Sequence, residues 1–430
     1  MYQQVAPVCC HQGALGPVRG NKTSGMKKAL LLPGAKWQVA MAERLKAEGV
    51  DLTVVDPHPE APCVPLADHY FQADLRDEDR ILDYCRTGEF DAVISDECDI
   101  AMPLVAKIGA ILHLPTLSVS DATIFTDKYE MRCRCRDIGI PCPDFQLCET
   151  VDEVTSFFRK QSGPIVMKPV DANASRGVFV IRQEDEIRRR FCDAISFSRK
   201  RKAILAETYV QGREFTIDGM KTAQSHITLA ISEKKHYDHN PNVASELLFT
   251  HSNDNFDYEA LKKANDRFVN GTTLAFGLTH AEYKFQDGKF YQIEIAARGG
   301  GTMISSLIAP YMSGIDSYSY LMKRAFSVPA DEIPGPVPAD VKDRAAVLKF
   351  FDVNGTGGRV RRIIGEEFLK RHPAVKAYQF NFSVGDVVGE AATDSDRPGF
   401  YIACCKNRDE LSALMEQISQ EVHFEYEDRA

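Results

Sequence analysis

The sequence predicts a multidomain protein of mixed α/β and α+β class, and three observations carry that prediction. Between residues 28 and 120, short apolar runs alternate with helical patterns, as in a parallel sheet covered by helices. From residue 151 to 218 the order becomes helix, hairpin, helix and strand, which suits a small α+β lid. At Asp287-Gly288 two strand-like runs meet in a strong hairpin signal, so antiparallel pairing follows there. A chain of 430 residues has room for two or three such units.

Residues 1–25 hold Gly, Pro and polar residues without an apolar h-region and are expected to form a flexible extension, not a secretory signal. The N-terminal unit, 26–125, reads as a Rossmann-like parallel sheet. Its strands are expected at Ala29–Leu32, Leu52–Val55, Ala92–Ile94 and, briefly, Thr116–Val119; its helices run through Leu45 and over Ile100–Ile111. A single Gly34 follows the first strand, so there is no dinucleotide fingerprint. Thr126 or Asp127 can cap a basic helix that closes at Gly139, and most of its arginines (Arg132, Arg134, Arg136) read as a solvated face.

An amphipathic helix follows over 151–162, with Val151, Val154, Phe157 and Phe158 on one side. Next come a hairpin of Ile165–Met167 with Val178–Val180, a charged helix from Glu184, and strands at Lys202–Val210 and Glu214–Asp218. Residues 233–246 are polar and without periodicity, so a long surface loop is expected. A helix over Phe256–Leu274 leads to paired strands at His280–Phe285 and Phe290–Ile295. The prolines of Pro334–Pro338 mark a linker. Residues 339–430 form a C-terminal α+β unit with strands near Val347–Phe351 and Gln379–Phe382, turns at Asn354–Gly358 and a helix from Asp409.

Composition excludes several classes. A net charge of -9 argues against non-specific nucleic-acid binding, which needs a positive face, yet leaves room for a local phosphate pocket. No apolar run approaches membrane-spanning length, so no membrane partner is expected. The twelve scattered cysteines read as reduced thiols of a cytoplasmic protein. Cys133, Cys135, Cys142 and Cys148 lack the two-residue gaps of zinc knuckles, which counts against zinc.

The chemistry gathers around Pro164–Ile181. Lys168 closes a strand beside a loop carrying Asn173, Ser175 and Gly177, whose free N–H groups can form a nest for an anion. The alternative is an exposed hairpin with a nearby lysine. Lys128 stands at a helix start, near where that loop would fold back. Glu282 and Glu294 fall on the two strands of the Asp287-Gly288 hairpin, and two carboxylates on one face invite a hard cation such as magnesium. Glu294 lies between Ile293 and Ile295, too apolar a run for an exposed edge. Arg298-Gly299-Gly300-Gly301 offers an arginine fork beside backbone that a ligand can approach closely, or else a flexible turn. His236 and His239 are candidate substrate contacts, read alternatively as solvated histidines.

In their order along the chain, these pieces resemble the ATP-grasp superfamily from Asp127 to about Pro310. The resemblance implies an ATP-grasp domain over 126–333 with a lid subdomain at about 140–210. It makes Lys128 and Lys168 the phosphate-binding lysines and Asp171–Gly177, with Ser175 and Gly177, the loop that closes over the phosphates. Glu207 and the backbone near Val210 would read adenine, and Glu214 would hold the ribose. Glu282 and Glu294 would bind magnesium, and Arg298 would face the transferred phosphoryl group. Ala296 departs from the pattern, since family members often carry a metal-binding Asn there. The Arg-Gly-Gly-Gly-Thr run and the C-terminal unit look like the L-amino-acid ligase branch.

The implied activity is that of an ATP-dependent carboxylate–amine ligase. Its cofactors would be ATP and Mg2+ (or Mn2+), with Lys168 and Arg298 as catalytic residues and Arg298, Gly299 and Gly300 touching substrate. Its partners would be a small carboxylate, an amine and, dimers being the commonest closed assembly, a second copy of the chain. The alternatives are a bicarbonate-activating or carbamoylating ATP-grasp enzyme and a non-catalytic nucleotide-binding protein.

Overall fold

A computed structural model describes residues 26–172, 176–198, 201–328, 338–353 and 357–427. The predicted extension 1–25, Ser175 and nearly all of the predicted proline linker therefore lie outside the described residues.

The N-terminal unit comprises β1 (Lys28–Leu31), α1 (Val39–Ala47), β2 (Asp51–Asp56), β3 (His69–Gln72), α2 (Glu78–Thr87), β4 (Ala92–Ile94) and α3 (Met102–Leu112). Its four strands pair in parallel in the order β3-β2-β1-β4. Leu30, Leu31, Leu52 and Val54 are fully buried, as expected for strands covered on both faces. The expected strand at Thr116–Val119 is absent. Ser118 instead accepts a hydrogen bond from the Asp121 N–H and caps α4 (Val119–Thr126).

Asp127 then caps α5 (Lys128–Ile138), accepting from Tyr129 and Glu130, and Gly139 ends it in the left-handed region. The lid contains β5 (Phe145–Cys148), α6 (Val151–Lys160), β6 (Ile165–Pro169), β7 (Phe179–Ile181), α7 (Glu184–Ser196) and β8 (Ile204–Thr208). Its antiparallel sheet runs β5-β8-β6-β7. The two helices pack Val154, Phe157, Ile187 and Phe191 onto Ile165, Met167 and Ala206.

The body of the molecule is built from β9 (Arg213–Lys221), β10 (His226–Tyr237), β11 (Asn240–Phe249), α8 (Tyr258–Asn270), β12 (Gly277–Gln286) and β13 (Lys289–Ala296). Two short helices, α9 (Ala309–Ser313) and α10 (Ser317–Ala325), lead towards the C-terminal unit. That unit holds β14 (Ala345–Phe350), β15 (Gly358–Ile364), α11 (Glu366–Arg371), β16 (Val375–Phe380), β17 (Val387–Val388), β18 (Gly399–Cys405), α12 (Arg408–Glu421) and β19 (His423–Tyr426).

Two further expectations need correction. Residues 233–246 are not a loop: they are most of the long hairpin β10–β11, held between β9 and β14. Polar composition misled there because one face of these strands is the polar face of the site. The helix expected to reach Leu274 stops at Asn270, where Gly271 follows. The C-terminal unit packs onto the body, where β14, β18 and β16 extend the main sheet to eight strands in the order β13-β12-β9-β10-β11-β14-β18-β16.

Candidate active site

Strand alternation builds the floor of the site. Glu214, Thr216 and Asp218 alternate along β9; Ser232 and Lys234 lie opposite on β10, and His280, Glu282 and Lys284 on β12. Phe215, Ile217, Ile231, Ala281 and Tyr283, one residue out of step, are buried in the core that also holds Leu261 and Phe268 of α8. The sheet is thus apolar towards α8 and charged on the other face.

Glu282 and Glu294 are direct partners across the β12–β13 ladder, because a bulge between Glu282 and Tyr283 shifts the register that the Asp287-Gly288 turn sets. Lys234 Nζ donates to Glu214 at 2.5 Å and to Glu282 at 2.9 Å. Lys128 Nζ donates to Glu294 at 2.9 Å and to the Ala172 carbonyl at 2.8 Å, joining the start of α5 to the end of the lid hairpin. Burial opposes ionisation of these carboxylates. Even so, Lys234 holds Glu282 below its ordinary range, Lys128 does so for Glu294, and Lys234, Lys284 and His236 together do so for Glu214. The Glu294 side chain remains 40% exposed, so this end of the cluster is open to a ligand.

The other lysine sits in a closed arrangement. Glu207 on β8 takes Arg132 Nε and Lys168 Nζ, each at 2.6 Å, and all three side chains are buried. Burial raises the cost of the Glu207 charge, but two cations outweigh it and the carboxyl is held low. Burial pushes the Lys168 ammonium down against the pull of Glu207, and the nearby Arg132 and Lys128 charges add to that shift. Arg132 also donates to the Ile293 carbonyl, next to Glu294. Two corrections follow. Arg132 is fully buried and does not belong to a solvated face. The Glu207 carboxylate is taken up by Lys168 and Arg132, so it supports the lysine instead of standing clear to read a base.

Gly177 adopts φ +73°, and a Cβ there would meet Phe197 at 2.9 Å and Pro169 at 3.0 Å, so close packing against α7 requires glycine. Val210 is buried just beyond β8. The floor closes on the arginine loop. Arg298 grips Asp99 with two bonds of 2.9 and 2.8 Å and donates to the Gly299 carbonyl at 2.8 Å. The Gly299 N–H donates to the Asp96 carbonyl at 2.7 Å. The Gly300 N–H donates to Asp218 Oδ1, which also receives His280 Nδ1 at 2.9 Å. A Cβ on Gly300 would lie 2.6 Å from that Asp218 oxygen.

Of the two candidate histidines, His236 joins the cluster, 3.5 Å from Glu214. His239 does not: it sits exposed at the hairpin tip, stacked on Tyr237 and near the Ala391 carbonyl. Sequence reasoning missed Arg132, Lys234, Asp218, His280 and Asp99. Three of these carried a signal, since His280 lies two residues before Glu282, Lys234 two before His236, and Asp218 four after Glu214.

Among the described residues no group of three or more His, Cys, Asp or Glu side chains converges as a metal cage. The pair Glu282 and Glu294 still fits magnesium, a hard cation that binds through one or two carboxylates and takes its remaining oxygens from phosphates and water. Ala296, paired with His280 in the ladder, adds no donor.

Comparison with known proteins agrees with this arrangement. Residues 161–306 match the ATP-grasp domain family, and residues 353–427 match the L-amino acid ligase C-terminal domain 2. The L-arginine-specific L-amino acid ligase of Bacillus subtilis is 19% identical over 87% of this chain and 91% of its own length. A formate-dependent phosphoribosylglycinamide formyltransferase from Sulfolobus acidocaldarius is 22% identical over 73% of this chain and 80% of its own. Other formyltransferases of that description match over about half of their own length. The crystal structure of L-amino acid ligase from Bacillus licheniformis superposes with a TM-score of 0.76 at 23% identity, covering 95% of this chain and all of that one. The phosphoribosylglycinamide synthetase of Anaerococcus prevotii has the same fold, with a TM-score of 0.74 at 16% identity over 94% of this chain and 100% of its own. The chain thus carries an ATP-grasp domain, and it resembles the L-amino-acid ligases.

Proposed function

We propose that this chain is an ATP-dependent ligase that joins a small carboxylate, an amino acid in the first instance, to an amine. The observation that carries the reading is the paired Glu282 and Glu294 on one sheet face, flanked by Lys128 and Lys234 and ended by Arg298. The C-terminal domain match favours amino-acid substrates over bicarbonate.

A carboxylate is a poor electrophile. In the proposed reaction one of its oxygens attacks the γ-phosphorus of ATP and ADP departs, leaving an acyl phosphate. The amine nitrogen then attacks the acyl carbon, phosphate departs, and the nitrogen loses a proton to give the amide. Phosphoryl transfer asks a protein mainly for positioning and charge neutralisation. Lys128 and Lys168 bind the phosphates from the α5 and lid sides, with the Gly177 turn closing over them. Glu214 takes the ribose and the backbone near Val210 the base. Glu282 and Glu294 hold Mg2+ or Mn2+, which when bound neutralises phosphate charge. Arg298, aimed by Asp99, stabilises charge on the transferring group, with Gly299 and Gly300 letting the substrate approach the backbone. His236 stands at the edge of this pocket. The lid hairpin excludes water from the acyl phosphate. We assign residues 126–333 to the ATP-grasp domain, with 26–125 before it and 339–430 after it.

The test is phosphate release from ATP and magnesium across pooled amino acids and amines, with mass spectrometry of products. Release that needs both an acid and an amine, with the matching amide mass, is expected. Release with bicarbonate alone favours the carboxylating alternative. ATP binding without release from any pool favours a binding protein.

A further inference from the structure

The arginine loop is a strained piece of backbone. Thr302 and Met303 follow its three glycines with φ of 55° and 63°, in the left-handed region, and a π-helical turn runs over Ile304–Ile308. Non-glycine residues adopt that conformation against a steric cost, because Cβ crowds the following carbonyl oxygen, so neighbouring contacts must fix it. Those contacts come from the segment after β4. Ser305 Oγ lies 2.8 Å from both Glu97 Oε1 and the Gly300 carbonyl. The Tyr318 hydroxyl, from α10, lies 2.5 Å from Asp96 Oδ2 and 3.2 Å from Glu97 Oε1. Asp96, Glu97, Ser305 and Tyr318 are all buried.

Counting protons decides how this network is wired. A serine hydroxyl has one proton, yet Ser305 faces a carboxyl oxygen and a carbonyl oxygen, both acceptors when Glu97 is ionised. If Glu97 Oε1 carries a proton, Glu97 donates to Ser305, Ser305 donates to the Gly300 carbonyl, and Tyr318 is left to serve Asp96. We propose that Glu97 is a protonated positioning residue, whose carboxyl proton, passed through Ser305, fixes the Arg298–Gly301 loop for the reaction. The inference rests on the ligase reading for its catalytic consequence and on the contacts alone for its structural one. Burial and then the Asp96 charge push Glu97 well above the carboxylate range, and burial pushes Asp96 up to about 7. The other charged groups nearby are Arg298, which opposes the Glu97 shift, Asp99, which is paired with Arg298, and Arg44, which stands 5.5 Å over the Tyr318 ring. The sign is definite. While the carboxyl holds its proton, Ser305 is free to donate to the Gly300 carbonyl; as pH rises through the raised folded-state value of Glu97, the Ser305 proton turns to the carboxylate and the bond to Gly300 is lost.

The test uses the full chain with Ser305→Ala, Glu97→Ala and Glu97→Gln. Hydrogen–deuterium exchange of peptides over 298–305 should accelerate by about fivefold or more in the two alanine variants, with peptides over 165–181 unchanged. Their kcat should fall by about 10–100-fold while the KM for ATP stays within about twofold. Glu97→Gln, a donor at every pH, should flatten the alkaline fall of kcat expected of the unmodified chain. Unchanged exchange in both alanine variants overturns the inference, as does an alkaline limb that Glu97→Gln leaves in place. Parallel losses of ATP affinity and melting temperature overturn it in favour of plain packing. If the unmodified chain yields no amide from any pool, the ligase reading falls and the exchange measurement alone decides the loop's attachment.

Discussion

The two lysine sites of the pocket are built on opposite principles. Lys168 is locked with Arg132 and Glu207 in a triad whose side chains are at most 7% exposed. Lys128 pairs with Glu294, whose side chain keeps 40% of its surface. The closed triad has no spare carboxylate and reads as a scaffold that holds one cation at a fixed place. The open pair holds charges that can exchange partners when a nucleotide and metal arrive. A buried ion cluster lends specificity of position more than stability, whereas a half-open one keeps ligand-binding capacity.

Breaking the triad should give the largest effect. Arg132→Met leaves a buried carboxylate with one partner and should destabilise the fold by ~3–5 kcal/mol, read as a large drop in melting temperature with weakened ATP binding. A melting temperature within a degree of the unmodified chain would show that the triad is not the scaffold inferred here. Opening the other site should spare the fold and damage the chemistry. Glu294→Gln should lower kcat for phosphate release by roughly 10²–10³-fold with the melting temperature nearly unchanged, and activity within tenfold would remove Glu294 from the metal role. Lys234→Met sharpens the contrast with a smaller change. With its counter-ion gone, Glu282 and Glu214 should repel each other, raising their apparent pKa values. The magnesium concentration for half-maximal ATP binding should then shift about tenfold at pH 6 and less at pH 8; no pH dependence of that shift would dissociate Lys234 from the two carboxylates.

Legibility followed the kind of signal. The hairpin at Asp287-Gly288 announced its two strands, because a short turn pairs them locally, but the turn's register runs only as far as Tyr283 and Gln292, and a bulge before Glu282 is what brings it opposite Glu294. The capped start of α5 announced Lys128 in the same way. The stretch 233–246 failed because Lys234 and His236 alternate onto the polar face of the site and the hairpin tip is exposed, so no apolar periodicity marks the strands. His239 lies at the tip of that hairpin, near the Ala391 carbonyl and away from the carboxylate cluster. Arg132 looked like one of several surface arginines until packing placed it between the lid and β13.

The sequence by itself determined the local elements: the parallel N-terminal strands, the lid hairpin with its lysine, the Asp287-Gly288 hairpin and the arginine–glycine loop. Each depends on residues a few positions apart, through apolar periodicity, capping and turn chemistry. Tertiary structure alone decided which charges meet. Arg132 and Glu207 are 75 residues apart, Lys128 and Glu294 are 166, and Arg298 and Asp99 are 199. Such pairs form only when separate elements pack, because no local pattern records the partner of a long charged side chain. Burial then removes the water that would otherwise serve each of them equally well.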